Sequence, residues 1–186
     1  MKPTILVFGD SLSAGYGLPQ GRGWVDLLRR RVAENGQAFE VINASVSGET
    51  TLGGRNRLPA ALARYRPRAL VIQLGANDAL RGQPLERMRE NLIAMVKAGR
   101  AADARVLLVG MQIPPNYGQQ YTRKFQAAYA EVARAENVPL VPFLLEGFAD
   151  RRALFQGDGI HPAVEAQPAM LDTVWTRLGP MLAGLR

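Results

Sequence analysis

The sequence predicts a doubly wound α/β fold of the flavodoxin-like type, built on a five-stranded parallel sheet. Five apolar runs are rich in β-branched residues and are continuous rather than alternating, which is typical of strands buried on both faces. Helical stripes separate these runs, and each crossover is long enough for a right-handed connection between parallel strands. The 186 residues fit one domain, expected to span 1–186, because no linker or repeat interrupts the pattern.

Each predicted strand is a short apolar run of the length that strands commonly have. In chain order the five runs are "TILVFG" (4–9), "FEVINA" (39–44), "ALVIQLG" (69–75), "RVLLVGMQI" (105–113) and "VPLVPF" (138–143).

Between the strands, apolar residues recur at helical spacing, and we interpret these stripes as core faces rather than ligand sites. Pro84 is expected as a first helical residue, and Gly99 stands near the expected end of that helix. The stripes are Trp24, Leu27, Leu28 and Val32; Leu58, Ala61, Leu62 and Tyr65; Leu85, Met88, Leu92, Met95 and Val96; Phe125, Ala128, Tyr129, Val132 and Ala133; and Met170, Leu171, Val174, Trp175 and Leu178.

The amino-acid composition indicates which classes of binding partner and which kinds of site to expect. The excess of 23 Lys and Arg over 16 Asp and Glu gives a net charge of +7, which favours anionic partners such as a phospholipid surface. Nucleic acid is not expected, because the arginines are scattered and no interleaved aromatic residues mark a base-stacking surface. With no cysteine the chain has no disulfide, no thiolate nucleophile and no Cys-ligated zinc. No apolar run reaches the roughly 18 residues of a membrane span.

The predicted fold places functional residues after strands, because open parallel sheets bind ligands beyond the carboxyl ends of their strands. Polar candidates follow four of the five runs: Ser11 the first, Gly48 the second, Asn77 the third, and Asp158 with His161 the fifth. All of these segments are therefore expected at one edge of the sheet.

A serine nucleophile needs a base, and His161 is the only histidine in the chain. Asp158 lies three residues earlier, in a stretch held by Gly157, Gly159 and Pro162, so one tight turn would place its carboxylate beside the imidazole. That carboxylate would hold the histidine tautomer while His161 accepts the proton of Ser11. The pattern predicts a Ser-His-Asp triad.

An oxyanion needs hydrogen-bond donors aimed at it from different directions. The backbone N–H of Gly48 and the side-chain amide of Asn77 can supply them, although a positive-φ turn at Gly48 and a helix cap or Asx turn at Asn77 are alternative explanations. Asp10 and Asp78 adjoin the candidate residues, and we interpret both as structural carboxylates that bond to loop amides.

Four ordered blocks, "GDSLS", "SGET", "GAND" and "DGIHP", resemble those of the GDSL or SGNH hydrolases, and the likeness covers nearly the whole chain. It extends to the bacterial multifunctional esterases of the thioesterase I type, also described as protease I, lysophospholipase and arylesterase. The resemblance implies a three-layer α/β/α fold, a Ser-His-Asp hydrolase without metal or other cofactor, and an oxyanion bound by the N–H groups of Ser11 and Gly48 and by Asn77. It also implies a periplasmic or secreted location, with a cytoplasmic one left open.

The expected substrates are small acyl esters or thioesters: aryl esters, lysophospholipids and acyl-CoA, hydrolysed through an acyl-serine by a chain expected to be monomeric. The segment after the fourth strand is expected to wall an acyl groove, or else to be an ordinary proline-ordered connection; its candidate residues are Met111, Ile113, Pro114, Asn116 and Tyr117. A carbohydrate deacetylase of the same fold and a non-catalytic flavodoxin-like module that binds phosphate on "GDSLSAGYG" are the alternative functions.

Overall fold

The computed structural model describes residues 1–185, which form a five-stranded parallel sheet in the order β2-β1-β3-β4-β5. This order is that of flavodoxin-like folds, so the predicted class is confirmed. The strands are β1 (Thr4–Gly9), β2 (Glu40–Asn43), β3 (Ala69–Gln73), β4 (Arg105–Val109) and β5 (Leu140–Val141).

The described residues form seven helices, five of which cover the two faces of the sheet. On one side α2 packs on α7, and on the other α3, α5 and α6 pack in a row, so the molecule has three layers. The predicted apolar stripes supply the buried faces of these helices. The helices are α1 (Ser11–Ala14), α2 (Trp24–Glu34), α3 (Thr51–Tyr65), α4 (Ala76–Leu80), α5 (Leu85–Ala101), α6 (Gln119–Glu136) and α7 (Gln167–Ala183).

The sequence placed β1 correctly but made the other four strands too long. The largest errors are β4, predicted over 105–113 and observed over Arg105–Val109, and β5, predicted over 138–143 and observed over Leu140–Val141. β5 pairs with β4 through only two residues, Leu140 and Val141, and Pro139 directly before β5 has no N–H to extend the ladder. The rest of the run predicted for β4 includes the buried residues Met111 and Ile113, which lie outside the sheet.

The start of α5 was predicted one residue too early, whereas Gly99 lies near the end of the helix as expected. Pro84 has ψ 130° and precedes the helix, which begins at Leu85. Gly99 lies inside the last turn, where a Cβ atom would stand 2.8 Å from a methyl carbon of Leu70 and 2.9 Å from one of Val106. Gly99 is therefore required for the close approach of the helix to the sheet, and it does not end the helix.

Since all five strands are parallel, their carboxyl ends meet at one edge of the sheet. The short helices α1 and α4 begin there, directly after β1 and β3. Within residues 1–185 no helix is long and apolar enough to cross a membrane.

Candidate active site

Ser11 is the first residue of α1, at the carboxyl end of β1. Asp10 caps this helix: its Oδ1 accepts a hydrogen bond of 3.0 Å from the N–H of Leu12, as predicted for a structural carboxylate. The cap fixes the turn between strand and helix and leaves the Ser11 side chain half-buried at the edge of the sheet.

The three residues predicted as a triad lie in one hydrogen-bonded line. Ser11 Oγ is 3.0 Å from His161 Nε2, and His161 Nδ1 is 2.6 Å from Asp158 Oδ2. The histidine side chain is 19% exposed and the aspartate side chain 38%, so the acidic end of the line faces solvent. Nucleophile, base and orienting carboxylate have the connectivity that serine hydrolases use.

The turn from Asp158 to His161 also forms as predicted. Asp158 Oδ1 accepts hydrogen bonds from the N–H groups of Ile160, at 2.9 Å, and His161, at 3.0 Å. The bond to the His161 side chain, followed by those two amides, lowers the pKa of Asp158 to about 2. The carboxylate is therefore ionised above about pH 4 and accepts from Nδ1–H, which leaves Nε2 free to take the proton of Ser11.

Two glutamines hold the segment that carries His161, and sequence reasoning missed both. The N–H of Gln156 donates to the His161 carbonyl at 2.7 Å. Buried Gln167 donates from Nε2 to the Ala163 carbonyl at 3.1 Å, while its Oε1 accepts from the N–H of Trp24 at 3.0 Å. The amide of Gln167 thus joins this segment to the start of α2.

Tyr16 was also missed. Its ring lies against the imidazole of His161, with centroids 4.4 Å apart and planes inclined by 38°. The tyrosine side chain is itself exposed, so it covers one face of the histidine while remaining at the surface. No periodicity in the sequence marks this contact, because it depends on the path of the loop after α1.

The two predicted oxyanion donors stand on neighbouring segments. Asn77 Nδ2 donates to the Glu49 carbonyl at 3.0 Å, which occupies one of its two amide hydrogens and orients the group. Gly48 has φ 82°, so the positive-φ turn considered from the sequence is present, and Arg81 Nη2 donates to the Gly48 carbonyl at 3.2 Å. Both contacts tie the start of α4 to the segment after β2.

A buried polar network fixes α4, which carries Asn77, against α3. Asp78 accepts from the N–H of Thr51 at 2.8 Å and from its hydroxyl at 2.6 Å. Asn91 Nδ2, on α5, donates to that same hydroxyl at 3.1 Å. Asp78 is therefore structural, as predicted, and the network holds Asn77 on a rigid element.

The segment predicted as an acyl-groove wall divides into two parts. Met111 and Ile113 are buried and belong to the core cluster. Pro114, Asn116 and Tyr117 are exposed, the last two in a short 3-10 turn. Only the exposed part can meet a ligand without movement of the segment.

Asp10 is the second carboxyl near the site whose pKa is strongly shifted. Burial, opposed mainly by the bond from Leu12, raises the pKa of this carboxyl from 3.8 to about 6. A carboxyl whose pKa is higher in the folded state stabilises the fold while protonated. This contribution is complete below about pH 4 and is lost as the pH rises through 6.

The variant Asp10→Asn is therefore expected to gain stability relative to the wild type as the pH rises. Asparagine retains an oxygen for the Leu12 amide but does not titrate, so the difference in unfolding free energy should grow by about 3 kcal/mol between pH 4 and pH 8. Urea denaturation at several pH values measures this difference in unfolding free energy. The control is Asp150→Asn, at an exposed position. A difference that stays constant with pH would contradict the assignment.

Among the residues that the structure describes, no three His, Cys, Asp or Glu side chains converge as metal ligands would.

Comparison with known proteins finds a matching family and similar enzymes. Residues 7–167 match the model of the GDSL-like Lipase/Acylhydrolase family. Esterase TesA of Pseudomonas aeruginosa is 49% identical over 179 residues, covering 96% of this chain and 89% of that protein. Thioesterase 1/protease 1/lysophospholipase L1 of Escherichia coli is 38% identical, covering 96% of this chain and 85% of its relative.

A solved structure shares the fold closely. The psychrotrophic esterase EstA from Pseudoalteromonas sp., in a structure described as inhibited by monoethylphosphonate, superimposes with a TM-score of 0.92 at 41% identity. The match covers 97% of this chain and 98% of that one.

Proposed function

This chain belongs to the GDSL-like lipase/acylhydrolase family, and on that premise we propose that it is a serine esterase and thioesterase acting through an acyl-serine. The expected substrates are aryl esters, lysophospholipids and acyl-CoA thioesters; two relatives are named as an esterase and as a thioesterase and lysophospholipase, which supports the ester, thioester and lysophospholipid classes. The observation that carries the proposal is the line from Ser11 Oγ through His161 to Asp158.

In the first half-reaction Ser11 Oγ attacks the acyl carbonyl carbon, and its proton passes to His161 Nε2. Asp158 stabilises the imidazolium that forms. The negative charge on the carbonyl oxygen is received by the N–H groups of Ser11 and Gly48 and by the free amide hydrogen of Asn77. The ester or thioester bond then breaks, and the leaving alcohol or thiol takes the proton from His161.

In the second half-reaction a water molecule replaces the leaving group. His161 Nε2 accepts a proton from this water, whose oxygen attacks the acyl-serine carbonyl at the same oxyanion donors. Collapse of the intermediate releases the carboxylic acid and returns the proton to Ser11 Oγ. The whole cycle uses groups of one chain, so we propose a monomer as the active form.

Neither alternative has a specific observation in its favour. A phosphate-binding module would leave the Ser11 to His161 bond without a purpose, and the stretch from Asp10 to Gly17 contains no basic residue. A carbohydrate deacetylase would use the same triad, but the matched relatives are named as esterases and thioesterases. Acyl ester hydrolysis is therefore the better supported activity.

Two further assignments belong to this proposal. The exposed residues Pro114, Asn116 and Tyr117 contact the acyl chain, and Met111 and Ile113 join them if the segment moves. The family resemblance supports a periplasmic or secreted location.

A fluorophosphonate probe tests the proposal directly. It phosphonylates a serine only when that serine is activated, so intact mass should show a single adduct and peptide mapping should place it on Ser11. The variant Ser11→Ala should give none, whereas Ser13→Ala, which replaces a buried neighbouring serine bonded to Gln73, should still be labelled. Absence of labelling in folded wild-type protein would contradict the proposal.

A further inference from the structure

Six large apolar side chains stand exposed around the candidate active site, and we call them the apolar rim. Their exposed fractions run from 40% for Tyr117 to 61% for Ile160. Elsewhere in residues 1–185 only Met1 is a large apolar residue of comparable exposure. The members of the apolar rim are Tyr16, Val46, Leu52, Leu80, Tyr117 and Ile160.

Three residues of the apolar rim lie on segments next to Ser11 and His161. Tyr16 lies on the imidazole of His161, and Ile160 is the residue before that histidine. Val46 follows β2, and its N–H donates to the Gly9 carbonyl, at the end of β1, at 2.9 Å. These three side chains therefore come from three segments that meet around Ser11.

The other three members come from the remaining segments of the same edge. Leu52 and Leu80 follow Thr51 and Asp78 within one or two residues, and the buried bonds of 2.8 and 2.6 Å between those residues join the two helices. Tyr117 belongs to the segment after β4. The apolar rim thus collects one or more exposed apolar side chains from the segments after every strand.

Exposed apolar residues scattered singly are normal on a protein surface, but their concentration at one edge marks an interaction site. Six side chains from five segments place several short apolar groups around a reactive serine, which is the arrangement expected for insertion into a boundary between water and acyl chains. The charge complements such a boundary when it is anionic. The chain carries +7, and the exposed Arg81 stands beside Leu80.

We propose that the apolar rim docks the enzyme on aggregated anionic lipid, so that acyl ester substrates enter the site from a lipid surface. The inference rests on the proposed function and adds the physical state of the substrate to it. Apolar insertion and attraction between the basic protein and anionic head groups act together, so binding should weaken when either is removed.

Co-sedimentation with vesicles of phosphatidylglycerol and phosphatidylcholine tests the docking, in a Ser11→Ala background that cannot consume lipid. The triple variant Val46→Ser, Leu52→Ser, Leu80→Ser should lower the partition coefficient by about tenfold or more. The matched control is Phe39→Ser, which removes a half-buried apolar side chain at the amino end of β2, the opposite end of the sheet, and should bind normally. Raised salt, or vesicles of phosphatidylcholine alone, should also weaken wild-type binding.

The same triple substitution, with Ser11 retained, should hydrolyse a soluble short-chain ester within about threefold of the wild-type rate, because none of its three residues belongs to the proposed chemistry. Vesicle binding that the triple variant leaves unchanged, or that Phe39→Ser reduces equally, would overturn the docking surface. The docking surface would also be overturned if the wild type bound no vesicles and formed a dimer that the triple substitution dissociates. The apolar rim would then contact a second copy of the chain. Failure of the wild type to hydrolyse the soluble ester would instead count against the proposed function.

Discussion

Replacing Asp158 with asparagine is expected to lower kcat for a soluble ester about 10⁴-fold while leaving the fold intact. The asparagine oxygen can still accept from the N–H groups of Ile160 and His161, so the turn is retained. Its NH₂ group, however, would stand where Oδ2 now accepts from His161 Nδ1. Nδ1 would then become the acceptor, and the ring proton would move to Nε2, where it faces Ser11 and blocks proton transfer.

The effect depends on the position of a proton more than on the strength of a charge. The Asp158 side chain is 38% exposed, so water screens its attraction for the imidazolium, but screening does not restore the tautomer. Steady-state kinetics measure the change in kcat for each variant, and a thermal unfolding curve measures the change in stability. Asp158→Ala serves as comparison, because it removes the acceptor of the turn as well and should lower both kcat and the melting temperature.

If kcat of Asp158→Asn stayed within about tenfold of the wild-type value, the role of Asp158 would be limited to accepting the hydrogen bonds of the turn. In that event His161 would keep its tautomer through some other contact, and the alanine variant would differ from the asparagine variant only in stability. The pair of substitutions thus separates the electrostatic role of the carboxylate from its role as a local hydrogen-bond acceptor.

The sequence was sufficient to predict the fold class and the positions of the candidate residues for one physical reason. Continuous apolar runs indicate parallel strands, and parallel strands bring the segments after them to one edge. Ser11 and His161 each follow such a run, so their meeting could be expected without knowing any loop path. The Asp158 turn could be expected as well, because it is local.

Contacts that depend on the course of a long segment could not be predicted. Tyr16 reaches His161, and Gln167 reaches the start of α2, only because the loops after β1 and β5 fold back on each other. Strand ends were misjudged for a related reason. The segment after Val109 is still apolar at Met111 and Ile113, but the ladder with β5 ends at the pair of Val109 and Val141.

Replacing Asn77 with alanine is expected to lower kcat by about 10² to 10³-fold, corresponding to about 3 to 4 kcal/mol of transition-state stabilisation, with little change in KM. The amide has two hydrogens. One is bound to the Glu49 carbonyl. The other remains for the oxyanion that we propose to form between Ser11 and Gly48. Because the interaction forms only as charge develops on the carbonyl oxygen, its loss should appear in kcat rather than in substrate binding.

A purely structural role for Asn77 makes different predictions. If the residue served only to bind Glu49, the alanine variant would lose stability, and its kcat would fall only as far as the site loosened. Asn77→Asp sharpens the distinction, since a carboxylate at this position would repel the developing oxyanion and should be slower than alanine. Asn56→Ala, on the exposed face of α3, is the matched control and should stay within twofold of the wild type. An alanine variant of Asn77 within about threefold of wild-type kcat would remove this residue from the oxyanion site and leave the two backbone N–H groups to stabilise the charge.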